Sequence, residues 1–196
     1  MRSIVVATAN KGKFEEIKRF LNGDFDRFFS LADFDRRIEV VEDMPTYFEN
    51  ALKKARKIGN RCGMNALADD SGLEVEALQG RPGIYSARYA ANDEKRIERL
   101  LRELEGIPLE RRKAAFKAFL AYYEPVGGLA FIFYGALRGY IGTERRGENG
   151  FGFDPVFMLP ESAKSLAELG TDEKNRISHR GRALQAFKKF LKVQAF

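Results

Sequence analysis

The stretch Ala66-Leu67-Ala68-Asp69-Asp70-Ser71-Gly72-Leu73-Glu74-Val75-Glu76-Ala77-Leu78 places two adjacent aspartates between two apolar segments. Its last six residues alternate apolar and acidic side chains, as a half-exposed strand does. The sequence therefore predicts that Asp69 and Asp70 lie at a strand junction. Carboxylates there can bind magnesium and activate water for phosphoryl chemistry. A polar turn tightened by Gly72 is the alternative, and the residues alone do not separate the two.

The spacing of apolar residues on either side of this stretch predicts an alternation of strands and helices. Thr46 and Glu49 form a capping-box pattern that starts a helix running to about Cys62. Its expected buried face carries Phe48, Leu52, Ala55 and Ile58. The other predicted helices cover residues 13–21, 92–105, 164–170, 171–175 and 182–193, and further strands cover 3–8, 38–41 and a hairpin over 114–141. With no internal repeat and no linker, residues 1–196 are predicted to form one α/β domain, with a mixed central sheet and flanking helices.

The composition restricts the function classes. The single cysteine, Cys62, excludes an internal disulfide and is expected on the buried face of its helix. With a single histidine, His179, zinc chemistry in a His/Cys cluster is disfavoured, so any metal should be a hard ion bound by carboxylates. The net charge of +6 indicates an anionic partner, which leaves nucleic acid, a membrane surface and a phosphorylated small molecule open.

The location of the protein is predicted from its apolar segments. No run approaches the roughly 20 apolar residues that span a bilayer. The first residues, Met1–Val6, lead directly into a predicted strand rather than into a signal peptide. We therefore expect a cytoplasmic protein.

A turn between the first strand and the first helix is a candidate phosphate site. It consists of Thr8, Ala9, Asn10, Lys11, Gly12 and Lys13. Backbone N–H groups and the positive end of a helix dipole can bind phosphate oxygens there, and the two lysines add charge. Simple helix capping by a Thr/Asn/Gly turn is the alternative interpretation.

Two later motifs contain groups suited to a purine. The loop Gly150–Pro155 combines aromatic rings with one acid, so it can offer a flat apolar partner to a base and a polar group to its edge. Ser178-His179-Arg180 precedes the last helix, with Lys174 just upstream, and can present an imidazole and a guanidinium to an anion or a base. A tight turn with buried Phe, and a structural histidine, are the plain alternatives.

Taken in order, these motifs resemble the inosine triphosphate pyrophosphatase family, whose members remove non-standard purine nucleotides. The resemblance covers nearly the whole chain. Its six segments follow the family's order and approximate spacing: Thr8–Lys13, Thr46–Ala51, Ala68–Leu73, Pro82–Tyr89, Phe151–Pro155 and Ser178–Arg180. Two segments depart from the family pattern, namely Glu148-Asn149-Gly150, where many relatives have a glycine-rich run, and Asp43-Met44-Pro45 before Thr46.

The resemblance implies two lobes around a substrate groove, a homodimer, and magnesium-dependent release of pyrophosphate from ITP, dITP and XTP. It also implies a nucleoside triphosphate as the partner, with no nucleic acid and no membrane. By this resemblance, Asp70 is expected to be the general base and a metal ligand. Glu39 is expected to be the second metal ligand, with Glu42 as the alternative. The other implied substrate contacts are Thr8–Lys13 for the triphosphate, Ser71, Lys174, the base-covering Phe151, Gly152, Phe153 and Asp154, and the purine-reading His179 and Arg180.

Two other functions remain as alternatives. A pyrophosphatase for modified pyrimidine nucleotides would use the same phosphate chemistry and would differ in its substrates. A nucleic-acid-binding protein would use the +6 charge and exposed aromatic rings. Such a binder would not need Asp70.

Overall fold

The computed structural model describes residues 2–34 and 38–194. Its strands and helices, in chain order, are β1 (Ser3–Val6), α1 (Lys11–Phe20), β2 (Arg27–Phe29), α2 (Tyr47–Cys62), β3 (Ala66–Val75), α3 (Asp93–Glu103), β4 (Lys113–Glu124), β5 (Leu129–Ile141), β6 (Phe157–Met158), α4 (Thr171–Ile177) and α5 (His179–Val193). No helix among these residues is both long enough and apolar enough to cross a membrane.

The strands form a six-stranded sheet in the order β2-β1-β3-β4-β5-β6. Strand β1 runs parallel to β2, with Ser3 opposite Arg27, and parallel to β3, with Val5 opposite Ala66. Strand β6 is antiparallel to β5. The predicted α/β fold with a mixed sheet and flanking helices is therefore confirmed.

The chain divides into two compact units, as the two-lobe prediction requires. Unit 1 comprises Met1–Asp70, Ala118–Gly135 and Arg180–Phe196, and unit 2 comprises Ser71–Lys117 and Ala136–His179. The single domain over residues 1–196 stays a prediction.

In unit 1, β1 packs against an apolar cluster on each of its two faces. Ile4 and Val6 point into one apolar cluster, together with Phe187 of α5, while Val5 points into another, together with Ala55 of α2. Successive strand residues face opposite sides of a sheet, so an unbroken apolar run is the pattern of a strand covered on both faces.

Unit 2 packs α3 into a separate core. Asn92 caps this helix, because its side chain accepts a hydrogen bond from the Lys95 amide at 2.9 Å. Ile97, Leu100 and Leu104 then enter a cluster that also contains Phe153 and Phe157. The helix predicted over residues 92–105 is confirmed.

The second strand differs from the prediction. It is Arg27–Phe29, and residues 38–41 form no regular element. Ile38 and Val40 nevertheless pack, half-buried, against the second cluster of unit 1. Their apolar character therefore reflects contact with the core and not sheet pairing.

Two further expectations are corrected. Asp69 and Asp70 lie inside one continuous strand, β3, and not at a junction between two strands. On α2, Phe48 is 42% exposed, while the neighbouring Tyr47 is buried. Ala55 and Ile58 are buried as predicted, but Tyr47 and Ala51 occupy the buried face in place of Phe48 and Leu52. The predicted capping contact between the Thr46 hydroxyl and the Glu49 amide is present at 3.3 Å.

Candidate active site

The two acids of β3 are buried, at 1% exposure for Asp69 and 6% for Asp70. A buried carboxylate is costly unless it is neutralised or paired with a positive group. Two adjacent acids are usually predicted to end a strand. Here β3 continues through them, because unit 1 supplies positively charged side chains that pair with both. Asp69 and Asp70 pair with different positively charged side chains.

Asp69 contacts the cations of two distant segments. Its Oδ2 lies 2.6 Å from Nζ of Lys13 on α1 and 3.3 Å from Nη2 of Arg180 on α5. The same guanidinium contacts Oε2 of Glu16 at 2.5 Å. Burial opposes the ionisation of Asp69, but the charges of Arg180 and Lys13 outweigh it and lower the pKa of this carboxyl well below its ordinary value. Asp69 is therefore ionised at neutral pH.

Asp70 shares the ammonium group of Lys54 on α2. Nζ of Lys54 lies 3.4 Å from Oδ1 of Asp70 and 2.8 Å from the backbone oxygen of Asp69, and it also contacts Oε1 of Glu42. Burial lowers the pKa of Lys54, but the charges of Asp70 and Glu42 reverse the effect and raise it above the ordinary value.

The protonation of Asp70 is finely balanced. Burial raises its pKa to about 6, with the negative charges of Glu42 and Asp69 acting in the same direction and Lys54 against them. Its Oδ2 is buried and has no hydrogen-bond partner within residues 2–34 and 38–194. A carboxylate whose pKa lies near neutral pH, and which has an oxygen without a hydrogen-bond partner among the described residues, can act as a general base and as a ligand for a hard cation.

Of the two glutamates considered as second metal ligand, Glu42 is the one beside Lys54 and hence beside Asp70. Glu39 borders a surface recess with Lys57, Asn60 and Arg61. No group of three or more acidic, histidine or cysteine side chains suitable for a metal occurs in the described part of the chain. This does not count against magnesium, which commonly uses one or two carboxylates together with substrate phosphates.

The candidate phosphate turn lies in unit 1 at the start of α1. Asn10 caps the helix by accepting a hydrogen bond from the Lys13 amide at 3.0 Å, and the Asn10 amide donates to the Thr8 hydroxyl at 3.1 Å. Ala9, Asn10 and Lys11 are exposed, and Thr8, Gly12 and Lys13 are half-buried. The turn is capped, as the plain interpretation expected, and it also presents an accessible helix start beside the Lys13 ammonium.

The candidate base loop lies in unit 2. Oδ2 of Asp154 accepts a hydrogen bond from the Phe151 amide at 2.8 Å and contacts Nζ of Lys174 at 2.7 Å. The same ammonium lies 4.6 Å from the centre of the Phe151 ring. At Gly150, which has a positive φ of 80°, a Cβ atom would come within 2.2 Å of Oδ2 of Asp154. The backbone therefore approaches this acid more closely than any larger residue allows.

His179, also in unit 2, is buried and stacks flat on Phe116, with ring centres 4.7 Å apart and planes at 9°. Ser71 at the start of this unit is half-buried, as are Phe151 and Gly152 of the loop. Phe153 packs into the core of unit 2, against Tyr89. Its predicted contact with a base stays a prediction.

The structure thus brings the predicted site residues together in two groups. Lys13, Asp70 and Arg180 lie in the charged cluster of unit 1, and in unit 2 the ammonium of Lys174 on α4 contacts Asp154 and the Phe151 ring of the loop. The guanidinium of Arg180 contacts Glu16 and Asp69, and its predicted role in reading the purine edge stays a prediction.

Sequence reasoning missed Lys54 and Glu16 as members of the charged cluster. Lys54 had a usable signal, because it lies between Ala51, Ala55 and Ile58 on the buried face of α2, where an unpaired lysine is rare. Glu16 gave no such signal. Its partner, Arg180, lies 164 residues away in sequence.

Comparison with known proteins relates this geometry to a family. The model of the Ham1 family matches residues 4–190. The chain is 50% identical to a dITP/XTP pyrophosphatase from Geobacter sulfurreducens, with 97% of each chain covered, and 46% identical to one from Bacillus cereus, with 94% and 92% covered. Among solved structures, a HAM1 protein from Coxiella burnetii superposes with a TM-score of 0.88 at 38% identity, with 98% of this chain and 99% of that one covered.

The opposite pKa shifts of the two aspartates predict opposite effects on stability. Asp70 has a raised pKa, so the stability it contributes is lost as pH rises from about 4 through about 6. In metal-free protein, Asp70→Asn should therefore increase the free energy of unfolding at pH 8, by at most about 3 kcal/mol, and the gain should shrink at pH 5. Urea unfolding in the presence of a chelator measures both values.

Asp69→Asn is the matched control. The pKa of Asp69 is lowered, so its contribution is fully present at pH 8. Removing that charge leaves Lys13 and Arg180 without a buried partner on β3 and should cost about 3–5 kcal/mol. If both variants lowered the stability at pH 8 to the same extent, the account of the two carboxylates would be wrong.

Proposed function

The chain belongs to the Ham1 family, and from this membership and its charged cluster we propose that it hydrolyses non-standard purine nucleoside triphosphates to the monophosphate and pyrophosphate. It is an enzyme, a nucleoside-triphosphate pyrophosphatase that removes non-standard nucleotides from the nucleotide pool. The names of its relatives point to dITP and XTP as substrates, and ITP carries the same base as dITP.

The pairing of Asp70 with Glu42 around one ammonium group is the observation that carries the mechanism. Both carboxylates already stabilise one positive charge, the Lys54 ammonium. Asp70 also has an oxygen with no hydrogen-bond partner in the described residues. Their oxygen chemistry fits magnesium. We propose Asp70 and Glu42, in preference to Glu39, as the acidic ligands. Bound magnesium would supply positive charge to offset the negative charge that develops on the phosphate oxygens.

Phosphate binding is assigned to the start of α1. The backbone N–H groups of the turn Thr8–Lys13 and the helix dipole favour phosphate oxygens. The Lys13 ammonium lies beside this turn, and Asp69 fixes its position at 2.6 Å. Glu16 and Arg180 fix Asp69 in turn. The lysine therefore reaches the triphosphate from a preorganised position, and little ordering is needed on binding.

Asp70 then acts on the attacking water. In the metal-free protein burial raises the pKa of Asp70 to about 6, so this carboxyl is mostly ionised at neutral pH and basic enough to accept a proton. The water oxygen forms a bond to the α-phosphorus, its proton goes to Asp70, and the bond from the α-phosphorus to the bridging oxygen breaks. Pyrophosphate leaves with the electron pair of that bond.

Selection of the base is assigned to unit 2. The half-buried Phe151 ring can offer an apolar face to the base, and the buried His179 carries ring nitrogens that can form hydrogen bonds. A hydrogen bond to the keto oxygen at purine position 6 would disfavour adenine. Guanine has the same keto group, so it must be rejected through its 2-amino group.

We propose that the enzyme works in the cytoplasm as a homodimer, with a nucleoside triphosphate as partner and with neither nucleic acid nor membrane. Magnesium is the proposed metal.

A substrate panel with variants of the acids tests the proposed function. Wild-type protein with magnesium should convert dITP, XTP and ITP to monophosphate and pyrophosphate, and should act far more slowly on GTP, ATP and dTTP. Asp70→Asn should lower the rate by about 10²–10⁴-fold, because it removes the general base. Product identification by ion-exchange chromatography provides the measurement.

Glu42→Gln and Glu39→Gln form a matched pair within this test. The first should raise the magnesium concentration needed for half-maximal rate, and the second should leave it unchanged, because Glu39 lies beside Lys57 and Arg61 instead. The reverse result would assign the metal to Glu39. Preferential hydrolysis of dTTP would indicate a pyrimidine-directed pyrophosphatase.

Base selection is tested with His179→Phe. Phenylalanine keeps a flat ring that can stack on Phe116 but has no ring nitrogen, so packing and hydrogen bonding are separated. We expect the preference for dITP over dATP to narrow by about threefold to tenfold, the value of one hydrogen bond to the keto oxygen, with no change in magnesium dependence. If the full preference survived, His179 would be a packing residue only.

A further inference from the structure

The loop that carries Phe151 has glycines on both sides of the ring. Gly150 and Gly152 have positive φ angles of 80° and 64°. A glycine on each side of Phe151 gives the backbone freedom that only fixed contacts remove. The Phe151 amide is fixed by Asp154, but this contact is on one side of the ring only. The other side requires its own contact.

That second contact comes from the start of α3. Oδ2 of Asp93 accepts a hydrogen bond from the Gly152 amide at 2.8 Å, across 59 residues of sequence. Its other oxygen, Oδ1, lies 2.5 Å from Nη1 of Arg96. Arg96 is itself tied to the chain, because its Nε donates to the backbone oxygen of Ala90 at 3.2 Å and its Nη2 donates to that of Ala87.

From these contacts we infer that Asp93 is a positioning residue for recognition of the base. It fixes Gly152, and with Asp154 it fixes the orientation of Phe151 from both sides. The inference rests on the proposed function, since it assigns Phe151 to the face of the purine. Asp93 itself touches neither the phosphates nor the water in this account.

The geometry supports a role in positioning more strongly than a role in stability. The Asp93 side chain is 47% exposed, so the ion pair with Arg96 adds little to folding. Asn92 caps α3 independently of it. A charged acceptor on a backbone amide is stronger than a neutral one, which suits a contact that limits the motion of a glycine.

The experiment compares Asp93→Ala with Glu94→Ala. Both changes remove an acid from the first turn of α3, but the Glu94 side chain is 68% exposed and its carboxylate lies 3.9 Å from Arg145. We expect Asp93→Ala to raise the KM for dITP by about threefold to tenfold with a smaller change in kcat. Inhibition by inorganic tripolyphosphate, which has no base, should be unchanged. Glu94→Ala should alter neither value.

Equal weakening of dITP and tripolyphosphate binding in Asp93→Ala would overturn the inference, as would an unchanged KM. If Asp93→Ala did not fold, Asp93→Asn, which keeps the shape and weakens the acceptor, carries the same test. Hydrogen exchange provides a readout without substrate, because the Gly152 amide should exchange faster in either Asp93 variant than in wild type. Unchanged exchange would also contradict the role. The wild-type rate on dITP, measured alongside, shows separately whether the proposed function holds.

Discussion

The burial of two adjacent negative charges inside β3 is the constraint on which unit 1 depends. Asp69 and Asp70 cannot stay ionised in an apolar interior unless cations reach them. The chain supplies these from three helices, with Lys13 on α1, Lys54 on α2 and Arg180 on α5. Segments far apart in sequence are therefore brought to one point of the sheet, and the contacts that satisfy the charges also build the candidate site.

The same contacts give the two carboxylates different chemistry. Arg180 and Lys13 keep Asp69 ionised at every physiological pH, so it can serve as a fixed anchor for the lysine. Asp70, only one residue away, is desolvated and flanked by Glu42, and its pKa is near 6. A carboxylate held in this state costs folding free energy in the metal-free protein, and binding of a cation relieves that cost. Destabilisation of this kind is common where a group must act in a reaction.

Much of the fold followed from local patterns in the sequence. Asn92 and Thr46 stand before helices with clear apolar faces, and both caps form. The prediction of a strand at Ile38–Val41 was wrong, because β-branched residues pack against a core as readily as they pair in a sheet. The strand that pairs with β1 on this side is the aromatic segment Arg27–Phe29. Which strands pair depends on contacts distant in sequence, and local spacing does not contain that information.

For the site, the acids and Lys13 were recognisable from their motifs, whereas Glu16 and the Asp93 contact were not. Such partners are determined by which side chains the fold brings within about 3 Å. The most direct test of the account is hydrolysis of dITP in ¹⁸O-labelled water, followed by mass spectrometry of both products. Attack at the α-phosphorus predicts the label in the deoxyinosine monophosphate and unlabelled pyrophosphate. Label in the pyrophosphate would place the attack at the β-phosphorus and contradict the assigned chemistry.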